Sequence, residues 1–126
     1  MGGVTLTTED PRLINLGVFP LGSIPETIEY QFLDGDGAVV DLTSGLWTAE
    51  VTGEQLEVTS QPVGLYGGAA AVVTGTATVS YTWDPDDFTI VGRFRLVIWT
   101  GNGSNRLGTP VYEYRVIDAP GDAPTV

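Results

Sequence analysis

Read from residue 27, the chain alternates: Ile28, Tyr30 and Phe32 fall on one side, Glu29 and Gln31 on the other, and the run ends at Asp34-Gly35-Asp36-Gly37. That pattern predicts a half-buried strand closing in a turn. Val39-Val40 resumes extended structure. Trp47, Ala49 and Val51 then alternate with Thr48 and Glu50, and Gly53-Glu54 predicts a turn into a partner strand with Leu56 and Val58 inward. The clearest strand spans residues 76–83, with Ala77, Val79, Tyr81 and Trp83 on one face and Thr76, Thr78, Ser80 and Thr82 on the other. Asp84-Pro85-Asp86-Asp87 follows, where Pro85 suits the first turn of a short helix and Asp84 can cap its free amides. Phe94, Leu96 and Ile98 form the inner face of the next strand. Gly101-Asn102-Gly103-Ser104-Asn105 reads as a polar hairpin tip, and residues 111–117 as the last strand.

Two stretches break the rhythm. Residues 13–24 carry Leu13, Ile14, Leu16, Val18, Phe19, Leu21 and Ile24, interrupted by Gly17, Pro20 and Gly22. No uninterrupted strand fits them, so they read either as a split first strand or, with the residues before them, as an N-terminal docking arm over 1–24. Residues 118–126 have no period and read as an extended tail.

Seven or so short strands, with a turn about every ten residues, place the 126 residues in one all-β domain, an antiparallel sandwich of about seven strands. Seventeen Gly and eight Pro, with abundant Thr and Val, agree with short strands and tight turns. The charge balance narrows the partners. Sixteen acidic residues face five basic ones, all arginine, for a net charge of −11. Phosphate backbones and anionic lipids require neutralising cations, so neither nucleic acid nor membrane is expected as a partner. There is no cysteine and no histidine, which excludes a disulfide framework and thiolate metal sites and removes the commonest general base. No cofactor, metal or enzymatic activity is expected. The N-terminus lacks the basic flank and apolar core of a signal peptide, so the chain is expected to be made in a cytoplasm.

The segment from Trp83 to Phe94, through Asp84, Pro85, Asp86, Asp87 and Gly92, resembles the crossover of immunoglobulin-like domains, where an Asp, a Gly and then an aromatic residue open the penultimate strand. Gly92 would allow close backbone approach, Asp86 or Asp87 would bond loop amides, and Phe94 would plug the core. Phe94 stands where such domains place a tyrosine, so the corner's hydroxyl bond is absent or supplied otherwise. Residues 28–37 followed by Val39-Val40-Asp41-Leu42, then Thr78-Val79-Ser80-Tyr81-Thr82-Trp83, then the 87–94 corner and Thr109-Pro110, together resemble the small immunoglobulin-like modules of tailed-phage virion proteins: head decoration modules and the N-terminal domain of baseplate upper proteins. The resemblance covers about residues 27–117. It implies a non-enzymatic virion component, made in the bacterial host, that binds the major capsid protein or other virion proteins and forms a homo-oligomer or symmetric array. A head decoration protein is the first expectation, and a tail, connector or baseplate component the alternative.

Candidate contacts come from the outward residues. Alternation puts Arg93, Arg95, Val97 and Trp99 on one side of their strand, with Trp99 toward water; Trp and Arg are enriched where binding energy concentrates. If that strand is central, a loop could cover Trp99. Leu13, Ile14 and Phe19 would contribute if their segment docks on a neighbour. Asp34 and Asp36 invite a calcium reading, but Ala38 stands at the third ligand position and no Glu closes the loop, so a plain turn is expected. Asp84, Asp86 and Asp87 could bind a cation or act as paired acids, but capping explains them more simply. A carbohydrate-binding module would use Tyr66, Trp99 or Tyr112 as stacking platforms.

Overall fold

A computed structural model describes residues 13–56 and 66–121. Their strands are β1 (Leu13–Pro20), β2 (Ile28–Gln31), β3 (Thr48–Gln55), β4 (Ala69–Val73), β5 (Thr78–Thr82), β6 (Gly92–Gly101), β7 (Arg106–Gly108) and β8 (Val111–Ile117), with a 3-10 turn over Pro85–Phe88 between β5 and β6. The all-β expectation holds. Eight strands form two sheets, one ordered β1-β8-β6-β3 with β7 also paired to β6, the other β2-β5-β4. β1 lies parallel to β8 while every other ladder is antiparallel, so the expectation of a purely antiparallel structure is corrected: the larger sheet is mixed.

The apolar faces of the two sheets share one core. Val79 and Tyr81 from the smaller sheet, and Phe94, Leu96, Ile98, Tyr114 and Val116 from the mixed sheet, are all essentially inaccessible to water. Trp83 sits at the centre with its ring edge-on to Tyr81, Phe88 and Tyr114 at 5.0–5.3 Å between centroids. Its Nε1 donates to the Glu26 carbonyl at 3.2 Å, so the one polar atom of the indole is satisfied.

The irregular 13–24 stretch has a simple cause. Ile14 and Leu16 point inward, then Phe19 and Leu21 do, so the inward parity changes between them. A bulge at Asn15/Gly17 makes the change: the register with β8 shifts there, Gly17 takes φ +115°, and the Asn15 carboxamide oxygen accepts its amide at 2.8 Å. Residues 13–20 are thus the split strand, bonded within their own sheet, and residues 1–12 of the expected arm lie outside the described residues. A second bulge separates β7 from β8. Ladder pairs with β6 change by one residue across Thr109-Pro110; Pro110 has no amide to give to a ladder, and at the bulge the Ile98 amide donates to the Thr109 hydroxyl at 3.1 Å.

Two other expectations change. Gly53-Glu54 is not a turn, because β3 runs straight through it in register with Leu96 and Arg95. Gly53 is there for clearance, since a β-carbon on it would meet the Tyr66 ring at 2.5 Å and the Arg95 carbonyl at 2.7 Å. Val58, the other half of that expected hairpin, lies outside the described residues. β4 carries no strand signal in the sequence: Ala-Ala-Ala-Val-Val is apolar on both faces and has no period to read.

Candidate functional site

The expected interface residues of β6 do stand together. Arg93, Arg95, Val97 and Trp99 project from the outer face of the mixed sheet, opposite buried Phe94, Leu96 and Ile98. Ladder register brings neighbours beside them: Glu50, Thr52 and Glu54 from β3 face Trp99, Val97 and Arg95, while Glu113 and Arg115 from β8 face Arg95 and Arg93. Glu113 holds the centre, accepting Arg95 Nε at 3.0 Å and lying 3.6 Å from Arg93. Both arginine heads are well exposed, so these pairs steer and orient more than they stabilise, at about 0.2–1 kcal/mol each.

Trp99 is half-buried, because β6 is central and the indole lies flat across its neighbours. Its Nε1 donates to the Thr52 hydroxyl at 2.8 Å on β3. Its benzo edge covers Gly108 on β7, where a β-carbon would come within 2.7 Å of Cζ3. The Arg106 guanidinium lies 5.6 Å from the ring centroid, a cation–π distance. The indole borders a shallow groove of about 410 Å³ lined by Glu50, Ser104, Asn105 and Arg106. Neither simple expectation for Trp99 was complete: the side chain is outward, and it is also fixed in one orientation, which lowers the entropy lost on binding.

All four described arginines, Arg93, Arg95, Arg106 and Arg115, are on this one face. The described surface elsewhere carries carboxylates and no cation. Glu113, Arg106 and Gly108 could not be assigned to the site from sequence, since β7 falls where the pattern predicts a loop and cross-strand register has no local signal. Of the β1 candidates, Leu13 is exposed at the sheet edge, whereas Ile14 and Phe19 are half-buried against the core; Phe19 meets Phe88 edge-on at 5.5 Å. Those two contribute to packing and not to an open face.

No known protein family and no curated protein matches this chain.

The corner residues form a separate, buried constellation. Asp84 caps the 3-10 turn, its Oδ1 accepting the Asp86 amide at 2.9 Å. Asp87, 1% exposed, accepts the amides of Tyr66 (2.7 Å) and Gly67 (3.3 Å) on Oδ1, and the Asp84 amide (3.0 Å) and Tyr81 hydroxyl (2.5 Å) on Oδ2. Asp87 therefore bonds loop amides as expected, and Tyr81 on β5 supplies the hydroxyl that Phe94 lacks. Phe94 instead stacks on Tyr114, 5.3 Å between centroids and 17° between planes. Gly92 has φ +150° and sits against Gln55, whose Nε2 donates to the Val91 carbonyl at 3.1 Å. A carboxylate so fully engaged holds the fold together; it has no lone pair left to move a proton. Asp34 closes the 34–37 turn through one oxygen, its Oδ1 accepting the Asp36 and Ala38 amides at 2.9 and 3.0 Å.

Of the three possible stacking platforms, Tyr112 is buried and Tyr66 is half-buried with its hydroxyl 2.9 Å from that of Tyr114. Burial pushes the Tyr66 and Tyr112 phenols up from the ordinary 10.0 to about 12, and those of Tyr81 and Tyr114 higher still. The hydroxyl bond from Tyr114 offsets part of the rise at Tyr66, while the Asp87 charge adds to it; at Tyr81 the bond to Asp87 adds to burial. Phenols whose folded pKa exceeds the unfolded value leave stability intact below pH 10 and remove it as pH climbs from about 10 through 12. An alkaline titration followed by tyrosinate absorbance and circular dichroism is expected to show these phenols ionising together with loss of strand signal. Complete ionisation near pH 10 with the fold intact would contradict the burial.

Proposed function

We propose that this chain is a non-enzymatic, immunoglobulin-like structural module that takes its place in a virion by binding a protein partner through the outer face of its mixed sheet. Strand order supports the fold: β2-β5-β4 against β1-β8-β6-β3, with the crossover turn between β5 and β6, follows the immunoglobulin arrangement of strands B-E-D against C-F-G with the first strand added beside the last. β7 is then an extension of the hairpin that joins the last two long strands.

The observation that carries the binding role is that every described arginine lies on the sheet face that carries the oriented, half-open Trp99, with Arg106 against its ring, on a chain whose remaining described surface is acidic. An aromatic anchor with arginines is the composition of an interface core. Of the candidate acids Asp84, Asp86 and Asp87, the carboxylates of Asp84 and Asp87 accept structural hydrogen bonds. The resemblance to phage modules selects the partner: the major capsid lattice first, a tail, connector or baseplate protein second.

Cosedimentation tests the choice. Purified chain mixed with separated heads and tails of its phage is expected to pellet with heads; pelleting with tails moves the site to the alternative partner, and pelleting with neither contradicts the virion role. The Trp99 groove also suits a sugar ring stacked on an indole, and saturable binding on a glycan array without particle binding would favour that second reading.

A further inference from the structure

We propose that the binding face continues past Trp99 onto the 43–46 loop, where Leu46 is a second anchor, and that the protein segment seated there brings an apolar side chain to Leu46 and a carboxylate to Arg106. The inference deepens the particle-binding reading above and rests on it. Leu46 is 83% exposed, more than any other large apolar side chain among the described residues. Its loop is nevertheless pinned on both sides. The Asp41 Oδ1 accepts the Thr43 amide at 2.9 Å and the Thr43 hydroxyl at 2.5 Å. Trp47 is buried, and its Nε1 donates to the Ser44 carbonyl at 2.9 Å. Gly45, at φ +86°, lies against the 101–105 hairpin tip, where a β-carbon on it would come 3.0 Å from the Asn102 Nδ2. Asn102 is fixed in turn, its Oδ1 accepting the Ser104 and Asn105 amides at 3.0 and 2.8 Å. Loop and tip brace each other, so Leu46 is held out in water at a set position, and little entropy is left to lose when a partner covers it.

The position is on the candidate face. Trp47 is inward in step with Ala49 and Val51, which puts Leu46 on the outward side with Thr48 and Glu50. Those two line the Trp99 groove, opposite Gly101 and Trp99 on β6. Leu46 therefore stands at the end of the groove, about 13 Å along the strand from the Trp99 rung, at about 3.3 Å per residue. The charges of the groove select its occupant further. Arg106, on β7, lies on the Trp99 ring and makes no ion pair among the described residues. Glu50 lines the groove from β3, on the other side of β6. The guanidinium fork is thus oriented by the indole and open to a carboxylate from outside. A sugar ring would use the indole and the polar walls and leave Leu46 wet. An apolar anchor beside a guanidinium fits a protein segment with an apolar and an acidic side chain.

Cosedimentation of the full chain with whichever particle the parent binds tests this. Leu46→Ser should weaken binding about tenfold or more and leave the thermal midpoint unchanged, because the side chain is out of the core. Val73→Ser is the matched control: Val73 is 58% exposed on β4 of the smaller sheet and should bind as the parent does. Arg106→Glu should weaken binding about tenfold or more, and Arg106→Lys less, since it keeps the charge and loses the fork. Binding by Leu46→Ser equal to the parent's, while Trp99→Ala binds nothing, would overturn the second anchor and point to a sugar or a smaller contact. Equal losses from Leu46→Ser and Val73→Ser, or Arg106→Glu binding as the parent does, would overturn it too. Sedimentation velocity of the chain alone distinguishes a second copy as the occupant: self-association that Leu46→Ser abolishes would contradict the particle segment. A parent chain that pellets with no particle contradicts the virion reading itself, and this inference with it.

Discussion

Asp87→Ala is expected to cost about 4 kcal/mol, enough to leave a marginally stable domain largely unfolded near body temperature. The side chain removed is 1% exposed and accepts four hydrogen bonds from three segments: the β5 hydroxyl of Tyr81, the amide of Asp84, and the amides of Tyr66 and Gly67 ahead of β4. Alanine leaves those donors buried with no acceptor, and each such loss costs about 1–3 kcal/mol. Asp87→Asn keeps one acceptor oxygen but presents an amide to the other donors, so about half the loss is expected. Tyr81→Phe removes a single bond to Asp87 and leaves the Gly68 amide, 3.0 Å from that hydroxyl, without its acceptor, for about 2 kcal/mol. Urea unfolding of the three variants should show Asp87→Ala as the most damaging, with similar denaturant slopes throughout. A loss under about 1 kcal/mol for Asp87→Ala would mean that the corner is not held this way.

Trp99→Ala combined with Arg95→Ala should leave the monomer folded and abolish incorporation into particles. Trp99 is half-buried and its loss exposes Gly108 and frees Thr52, a cost of about 1–2 kcal/mol to the fold. Arg95 contributes one exposed ion pair with Glu113. At an interface centre the same two residues would each be worth about 2 kcal/mol or more, a roughly thirtyfold affinity loss apiece. The measurement is the copy number of the variant per purified particle, with circular dichroism confirming the fold. Normal incorporation would remove Trp99 and Arg95 from the contact.

How much of this was readable depended on whether a residue's role is local. The inward sets Ala77/Val79/Tyr81/Trp83 and Phe94/Leu96/Ile98 were legible because a strand buried on one face must alternate, and each of these residues is buried. The Asp84-Pro85 turn was legible because capping is a property of four neighbouring residues. β1 was obscured by the bulge at Gly17, which changes the inward parity midway, and β4 by being apolar on both faces. Gly53 misled for a related reason: glycine marks turns and close approaches alike, and only the position of Tyr66 tells them apart. In the candidate site, alternation along β6 was enough to group Arg93, Arg95, Val97 and Trp99. Glu113, Thr52, Arg106 and Gly108 entered only through cross-strand register, which no single segment encodes. Asp86 or Asp87 was expected at the corner from the resemblance to immunoglobulin-like crossovers, but the link of Asp87 to Tyr81 and Tyr66 is a tertiary fact.

In the proposed role this module holds a protein neighbour with the outer face of its mixed sheet. A cryo-EM reconstruction of the assembled particle tests it most directly. Trp99, Arg95 and Glu113 are expected to be covered by a neighbouring protein. A reconstruction in which that face is open to solvent and the module is attached by its smaller sheet would contradict it.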